Sequence, residues 1–278
     1  MERLGYSSDG THPAGRRLVF LGDLTDRGPD SLAVVDLVSA LIDSGRAQCV
    51  LGNHDLNILL NHRKPENKWF FGKPFVHEGR VIPQKRASDE ERDRIVEFFG
   101  KLPLVLERPG LRVVHACWKP GMVAAVRTAA GTIELYWRHH DLIEADFQHR
   151  GDLDEAGRRL EHQNRNPVKV LTSGLEERSE KAIRAGGEWR HEKRVPWWND
   201  YDEPEVCVFG HYATLPCSPN GAGRAICIDF GAGKRWEGRL KVGDAGPFDH
   251  KLAALRFPEM RLVFDDGNEP QMNADERR

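Results

Sequence analysis

The sequence has no long hydrophobic run and no large excess of charge of either sign. No apolar segment approaches the roughly 20 residues that a membrane-spanning helix needs. The opening residues also lack the basic and then apolar pattern of a secretory signal. The 41 Lys and Arg nearly balance the 43 Asp and Glu, for a net charge of -2. We therefore expect a cytoplasmic protein that binds neither membranes nor nucleic acid.

Cysteine is also scarce, and no two cysteines form a Cys-x-x-Cys pair. Their number is odd and most of them lie inside apolar runs, which argues against a disulfide framework or a zinc knuckle. We expect reduced thiols in the core. The five cysteines are Cys49, Cys117, Cys207, Cys217 and Cys227.

The composition that remains is typical of a globular protein. The 278 residues are 39% hydrophobic and 30% charged, which is enough to enclose a sizeable core. We predict one domain over residues 1–265, with a polar insertion at about 138–205 and a flexible tail at 266–278. The insertion has few apolar-periodic stretches, so we interpret it as a cover over one face of the domain.

Two strand-loop-helix units begin the regular structure. Residues 18–21 predict a strand, the polar loop GDLTDRGPD follows it, and the apolar spacing predicts a helix over 31–42. The second unit has a strand at 49–51, the loop Gly52-Asn53-His54-Asp55 and the start of another helix. Each loop alone is explained by turn chemistry, because Gly, Pro and Asp suit turns.

Two later strands also run directly into polar residues. Residues 111–114 and 206–209 predict strands, and a histidine follows each of them. Four apolar strands therefore each finish with a potential metal ligand. The four residues are Asp23, Asn53, His115 and His211. Other elements are predicted as a helix at 87–99 and as strands at 225–230, 252–257 and 260–264.

The chemistry of these four side chains favours a transition-metal ion. A carboxylate, an amide oxygen and two imidazoles suit Mn, Fe or Zn better than calcium or an ion that prefers thiolates. A carboxylate can also bridge two ions about 3.5–4 Å apart, the spacing of two-metal hydrolases. Asp23 would be the centre of such a pair, which activates water near neutral pH.

Three further residues of the two loops fit phosphoryl transfer. Arg27 can bind phosphate oxygens with both arms of its guanidinium group. His54 follows the ligand Asn53 and could protonate the leaving oxygen, while Asp26 could orient that imidazole and raise its pKa.

These motifs together resemble those of the calcineurin-like metallophosphoesterases. The matching stretches are Gly22-Asp23-Leu24-Thr25-Asp26-Arg27-Gly28, Gly52-Asn53-His54-Asp55, His115-Ala116 and Gly210-His211. The first has the form typical of the phosphoprotein phosphatase (PPP) branch and its bacterial relatives, which include diadenosine tetraphosphatases. Order and spacing agree over about 1–120 and 205–265, so the signal is far more specific than any single motif.

The resemblance implies an α/β fold with two central β-sheets flanked by helices and the site at the carboxyl ends of strands. It implies that Asp23 bridges two divalent ions, with Mn as the best candidate, and that Asn53, His115 and His211 complete the second metal site. Asn53 would also contact the substrate. Metal-bound hydroxide would attack phosphorus in line, with a phosphoprotein, a dinucleoside polyphosphate or a small phosphoester as the substrate.

One motif of the family is absent from this sequence. The family has an Asp-x-His motif on an earlier strand, and it supplies two ligands of the first metal. Asp9 and His12 have the wrong spacing and lie in a Gly/Pro-rich loop. A late start, a truncation or a real loss of the first site would each explain the absence, and we favour the late start.

Two interpretations stay open at this point. A degenerate phosphate-binding or regulatory module without catalysis is the alternative to a phosphohydrolase. Arg138 is the candidate for a second phosphate-binding arginine, although a solvated arginine packing on Trp137 explains it equally well. Four aromatic residues of the insertion could line a substrate groove or, as we favour, pack on the core. They are Trp189, Trp197, Trp198 and Tyr201.

Overall fold

The computed structural model describes residues 1–77, 79–148, 153–185, 188–213, 223–243, 246 and 248–266. The helices in this part of the chain are α1 (Ser31–Asp43), α2 (Asn53–Leu59), α3 (Asp89–Lys101), α4 (Pro120–Arg127), α5 (Thr132–Phe147), α6 (Glu155–Arg165), α7 (Pro167–Ser173) and α8 (Arg235–Val242). The first strands are β1 (Leu18–Phe20), β2 (Ala47–Cys49), β3 (Phe75–His77), β4 (Arg80–Ile82), β5 (Val105–Arg108), β6 (Leu111–Val114) and β7 (Glu176–Ala185). The later strands are β8 (Glu188–Arg194), β9 (Val206–Phe209), β10 (Ala225–Cys227), β11 (Asp229–Phe230), β12 (Lys251–Arg256) and β13 (Arg261–Phe264).

The sheets combine parallel and antiparallel pairs. β1 pairs with β2 in parallel, and a four-stranded sheet has the order β10, β9, β6, β5. In that sheet β10, β9 and β6 are parallel and β5 is antiparallel. β11, β12 and β13 form an antiparallel sheet, while β3–β4 and β7–β8 are separate antiparallel pairs. The helix α1 connects β1 to β2, and helices α4 to α7 lie between β6 and β9, which confirms the α/β class.

Two of the predicted helices, α1 and α3, have clear local causes. The carboxylate of Asp30 accepts a hydrogen bond from the Ala33 amide at 2.9 Å and so begins α1. Ser88 and Glu91 begin α3 with reciprocal side-chain to backbone bonds. The apolar stripe of α1 is buried, as its spacing predicted. Its buried apolar residues are Leu32, Val35, Val38 and Leu41.

The second strand begins and ends earlier than the sequence predicted. It covers Ala47–Cys49, whereas the prediction was 49–51. Val50 and Leu51 are completely buried but lie beyond the strand, where the Leu51 amide donates to the Pro103 carbonyl at 2.9 Å. Their apolar character indicated burial, and burial does not require a ladder partner.

The polar segment 138–205 is more than a surface cover. It contains α7, where Val168, Val170 and Leu171 are fully buried in the main core cluster. The Ala116 amide also donates to the Leu171 carbonyl at 2.9 Å, so α7 is tied to the segment that follows β6. The sequence obscured this contribution because α7 spans only seven residues, too few for a periodic pattern.

The described part of the chain agrees with several smaller predictions. Cys49, Cys117, Cys207 and Cys227 are buried free thiols, while Cys217 lies outside the described residues. The proposed tail, 266–278, also lies outside them apart from Asp266. Glu2–Leu4 form one turn of 3₁₀ helix. Among the described helices none is both long enough and apolar enough to span a bilayer.

Candidate active site

The loop after β1 holds its polar residues in an uncommon backbone conformation. Gly22 has φ 84°, and φ is 52° at Asp23, 74° at Asp26 and 57° at Arg27. Residues other than glycine seldom adopt positive φ because their Cβ atom then crowds the backbone. Such strain persists only where surrounding contacts hold it, and it is concentrated at functional sites.

The loop after β1 contacts the loop before α2 backbone to backbone. A Cβ atom on Gly22 would lie 2.4 Å from the Gly52 nitrogen, and one on Gly52 would lie 2.2 Å from the Asp23 nitrogen. Neither position has room for a side chain. This close approach lets the His54 amide donate to Asp23 Oδ1 at 3.0 Å, so the two loops fix the Asp23 carboxylate together.

The Asp55 carboxylate connects the same two loops through hydrogen bonds, a role that the sequence analysis did not assign. Its side chain is fully buried and accepts hydrogen bonds from the Leu24 amide and the Thr25 hydroxyl at 3.0 Å. A third bond comes from the Gly52 amide at 3.2 Å. Burial and, next to it, the charge of nearby Asp23 together raise the pKa of Asp55 to about 7. The sequence signal that could have predicted this role is the position of Asp55 as the third residue of α2, where a carboxylate bonds the backbone at the start of the helix.

His115, directly after β6, is oriented by the β1 strand end. Its Nδ1 donates to the Leu21 carbonyl at 2.5 Å, which directs Nε2 toward the loops. Nε2 lies 3.2 Å from Asn53 Oδ1 and 3.4 Å from Asp23 Oδ2. Both of these neighbours are acceptors, so the space between them suits a proton or a cation.

His211 completes this cluster from the end of β9. Its Nδ1 lies 2.9 Å from Asn53 Oδ1, and its backbone φ is 67°. Ligand atoms of Asp23, His115 and His211 lie within 4.8 Å of one another. The structure therefore brings together all four residues that the sequence analysis proposed as ligands. Two imidazoles, a carboxylate and an amide oxygen fit a divalent transition ion.

The electrostatics of the cluster agree with cation binding. Burial alone would raise the pKa of Asp23, but the charges of His115 and His54 hold it well below its usual value. Burial strongly lowers the pKa of His211, and Arg194 lowers it further, so its imidazole stays neutral and can donate a lone pair. Burial opposes protonation of His115 too, but the Asp23 charge outweighs it and raises the pKa of His115.

His54 and Asp26 form a tight pair beside the cluster. His54 Nδ1 donates to Asp26 Oδ2 at 2.6 Å, and the other oxygen of Asp26 accepts from Trp69 Nε1 at 2.7 Å. Burial lowers the pKa of His54, but the charges of Asp23 and Asp26 outweigh burial and raise it to about 9. The buried Trp69 indole, which the sequence analysis did not consider, fixes the Asp26 carboxylate.

Arg27 lies on the open side of this pair. Its Nη2 is 3.2 Å from His54 Nε2 and 3.5 Å from Glu66 Oε1. About a third of the Arg27 side chain is exposed, at 32%. When His54 is protonated, its Nε2–H and the guanidinium group are two donors facing each other, an arrangement that an anionic oxygen would satisfy.

The structure places Arg138 away from these contacts. It lies on α5, half exposed, with its guanidinium 3.5 Å from Glu134. Arg194, at the end of β8, instead donates to the His211 carbonyl at 3.0 Å and lies over the Tyr212 ring. The sequence offered no local signal for Arg194, because the β7–β8 hairpin brings it to the site from within the insertion.

Asp9 and His12 have local partners instead of site partners. Asp9 Oδ1 accepts from the Ser7 hydroxyl at 2.5 Å and from the Thr11 amide at 3.1 Å. His12 Nδ1 accepts from the Ala14 amide at 3.0 Å. These are the bonds of a surface turn, as the sequence analysis favoured.

The tryptophans of the insertion differ in their environments. Trp197 is buried, and its indole N–H donates to the Ala116 carbonyl at 3.0 Å. Trp198 packs on Phe209, and Tyr201 packs on Trp197. Core packing therefore accounts for these three, as we favoured, whereas Trp189 is 74% exposed.

Comparison with protein-family models gives a match that agrees with this geometry. The model described as "Calcineurin-like phosphoesterase" matches residues 9–232. The chain belongs to the calcineurin-like phosphoesterase family. It is accordingly a metal-dependent phosphohydrolase, and nothing in the comparisons supports the non-catalytic alternative.

Relatives of this phosphoesterase carry two kinds of name. A bis(5'-nucleosyl)-tetraphosphatase PrpE [asymmetrical] of Halalkalibacterium halodurans is 49% identical over 97% of this chain and 88% of the relative. One of Geobacillus thermodenitrificans is 33% identical over 94% of this chain and 85% of the relative. A symmetrical bis(5'-nucleosyl)-tetraphosphatase of Chromohalobacter salexigens is 29% identical over 88% of both chains.

Among solved structures, the phosphoesterase is similar to a cold-active protein-tyrosine phosphatase of a Shewanella species. The TM-score is 0.44 at 15% identity, and the match covers 97% of this chain and 73% of the other. At this level the likeness carries no argument about substrate.

Proposed function

We propose that this phosphoesterase hydrolyses a phosphoanhydride bond of bis(5'-nucleosyl) tetraphosphates. The observation that carries the proposal is the convergence of Asp23, Asn53, His115 and His211, with His54 and Arg27 beside them. The names of the relatives supply the substrate class. Buried free thiols favour a reducing compartment, and we propose the cytoplasm.

The four proposed ligands, Asp23, Asn53, His115 and His211, would hold the metal. Divalent ions bound there supply a Lewis acid that lowers the pKa of water and stabilises charge on phosphoryl oxygens. We propose Mn²⁺ as the working ion, with Fe or Zn as alternatives, because two histidines accompany oxygen ligands in the set.

The other residues act on the substrate. Arg27 would bind the phosphoryl oxygens of the bond that is cleaved, since its guanidinium group faces the open side of the site. His54 would carry the proton that the leaving phosphate oxygen receives, and Asp26 keeps that imidazole oriented and charged. Asn53 would contribute both to the metal and to the substrate.

Arg194 is a better candidate than Arg138 for the second phosphate-binding arginine. Its guanidinium reaches the His211 backbone, while Arg138 is paired with Glu134 within α5. Arg194 is also exposed, so its remaining N–H groups are accessible to a substrate.

A substrate panel tests the proposal. The purified chain with Mn²⁺ is incubated with diadenosine tetraphosphate, a phosphoserine peptide, AMP and p-nitrophenyl phosphate, and products are separated by anion exchange. We expect hydrolysis of the dinucleotide, which Asp23→Asn abolishes. ATP plus AMP would indicate asymmetric cleavage, and two ADP would indicate symmetric cleavage. Hydrolysis of the phosphopeptide in preference to the dinucleotide would overturn the substrate assignment.

A further inference from the structure

A second cluster of metal-ligand side chains lies in the insertion, apart from the active site. His140 and Glu144 are one turn apart on α5, and His162 lies on α6. A ligand atom from each lies within 4.8 Å of the other two. Residues four apart share one helix face, so α5 presents two ligands side by side and α6 supplies the third.

The contacts within the cluster are close and oriented. His162 Nε2 lies 2.6 Å from Glu144 Oε1, and the rings of His140 and His162 stack at 4.8 Å between centroids. Tyr136 and Trp137 pack on His140, while Phe147 packs on His162. Aromatic contacts of this kind limit ring rotation, so the imidazoles are held before any ligand binds.

A cavity of about 330 Å³ adjoins both histidines and contains an unpaired polar atom. Glu192 lines this cavity and is 4% exposed, and its Oε2 has no hydrogen-bond partner among the described residues. Its other oxygen accepts from Arg159 Nε at 2.8 Å. A buried carboxylate oxygen without a partner is costly, and water or a cation in the cavity would satisfy it.

The charges around the cavity have both signs. Cations lining it are Arg159, Lys169 and Arg190, and the carboxylates are Glu176 and Glu192. Arg159 is already bonded to Glu155 and Glu192, which offsets its charge near the histidines. The cluster that adjoins the cavity has one carboxylate and two imidazoles, which would leave a bound divalent ion with one net positive charge.

We propose that His140, Glu144 and His162 bind a divalent transition ion, with Zn²⁺ as the best fit, and that this ion fastens α5 to α6. Two imidazoles and one carboxylate are a common three-residue ligand set for zinc, with water in the fourth position. The ion would stabilise the insertion, and none of its three ligands is a residue of the candidate active site.

Zinc stoichiometry tests the proposal once the active-site ligands are removed. In the full chain carrying Asp23→Asn and His211→Asn, we expect one Zn²⁺ per chain, measured by a competing chromophoric chelator. His140→Ala with His162→Ala should remove that zinc. His191→Ala, which removes an exposed histidine of the same insertion, should leave it bound. Absence of bound zinc in the Asp23→Asn/His211→Asn chain would overturn the proposal. So would equal amounts of zinc in that chain, in the His140→Ala/His162→Ala variant and in the His191→Ala variant.

A single substitution of an exposed residue distinguishes loss of a zinc ligand from loss of folding. Glu144 is exposed, so Glu144→Gln should fold, as circular dichroism would check. Losing a ligand should weaken zinc binding at least about tenfold, because even partners of ligands contribute 10- to 100-fold. Zinc should also raise the thermal midpoint of the first variant and have a smaller effect with Glu144→Gln. An unchanged Kd in Glu144→Gln would show that the cluster is only a hydrogen-bonded contact.

Discussion

At the residue scale, three of the proposed site residues each have a partner that fixes their orientation. Trp69 fixes Asp26, Asp26 fixes His54, and the Leu21 carbonyl fixes His115. These partners determine which atom carries a proton. Removing one of them should therefore change protonation before it changes the fold.

Replacing Asp26 with Asn should lower the pKa of His54. In the metal-free protein that pKa is raised to about 9, so His54 is protonated at pH 7.5. Burial lowers the pKa of His54, and without the Asp26 charge less electrostatic attraction offsets that effect. The neutral imidazole is then favoured, and the pKa of His54 shifts downward. An NMR titration of metal-free protein measures this change. With metal present, kcat should fall by about 10²-fold or more, the range for a general acid.

The matched control for Asp26 is Asp36→Asn on the exposed face of α1. It removes the same charge but from an ion pair with Arg94 at 2.9 Å. An equal pKa shift of His54 in both variants would mean that net charge, and not the Asp26 contact, sets its protonation.

The two candidate arginines should differ in kinetics. Arg194→Ala should raise KM for a dinucleoside tetraphosphate about tenfold or more, since a hydrogen bond to a charged group contributes about 1.5–3 kcal/mol. Arg138→Ala removes a half-exposed residue paired with Glu134 and should leave kcat/KM nearly unchanged. Steady-state kinetics on both variants decides between them. A larger rise of KM in Arg138→Ala than in Arg194→Ala would favour Arg138 as the phosphate-binding residue.

At the element scale, short segments contribute more to the core and to the position of the site than their sequence patterns indicate. β1 and β2 have three residues each, and α7 has seven, yet they support the site loops and the core. Packing against neighbours, not intrinsic propensity, stabilises helices of this length.

Truncating Leu171 in α7 should destabilise the protein strongly. Leu171 is fully buried, so Leu171→Ala should cost about 2–5 kcal/mol of unfolding free energy. Leu142→Ala on α5 is the matched control, because Leu142 is 59% exposed and should cost no more than about 0.5 kcal/mol. Urea unfolding measures both. Similar small losses would mean that the insertion is only a surface cover.

At the scale of the whole molecule, the active site joins parts of the chain that are far apart in sequence. Asn53 and His211 are separated by 158 positions and lie 2.9 Å apart at their closest atoms. A metal ion held there would couple the β1–β2 pair to the four-stranded sheet. Binding should therefore stabilise the whole fold.

Metal removal should lower the thermal midpoint. At a free Mn²⁺ concentration 100 times Kd, ligand linkage contributes about 2.7 kcal/mol, which EDTA would remove. Since Asp23 raises the pKa of His115, metal binding should also displace a proton from that imidazole, and calorimetry in buffers of different ionisation enthalpy detects it. In Asp23→Asn the Mn²⁺ effect should be small; a full shift there would exclude Asp23 as a ligand.

Much of the site was predictable because its residues follow apolar strands in local motifs. Asp23, Asn53, His115 and His211 each follow a strand or its buried extension, and the α/β class follows from the alternation of strands and helices. The single-domain division and the catalytic roles stay predictions. Asp55 and Trp69 were missed because their bonds cross 31 and 43 positions, respectively.

The amino-acid sequence alone determined which chemical groups stand at the strand ends, since strand periodicity and loop composition are local properties. The tertiary structure decided which of those groups meet. It selected Arg194 over Arg138 as the arginine next to His211, buried α7, and brought His162 to His140. These outcomes depend on packing between elements distant in the chain, and local patterns carry no information about such contacts.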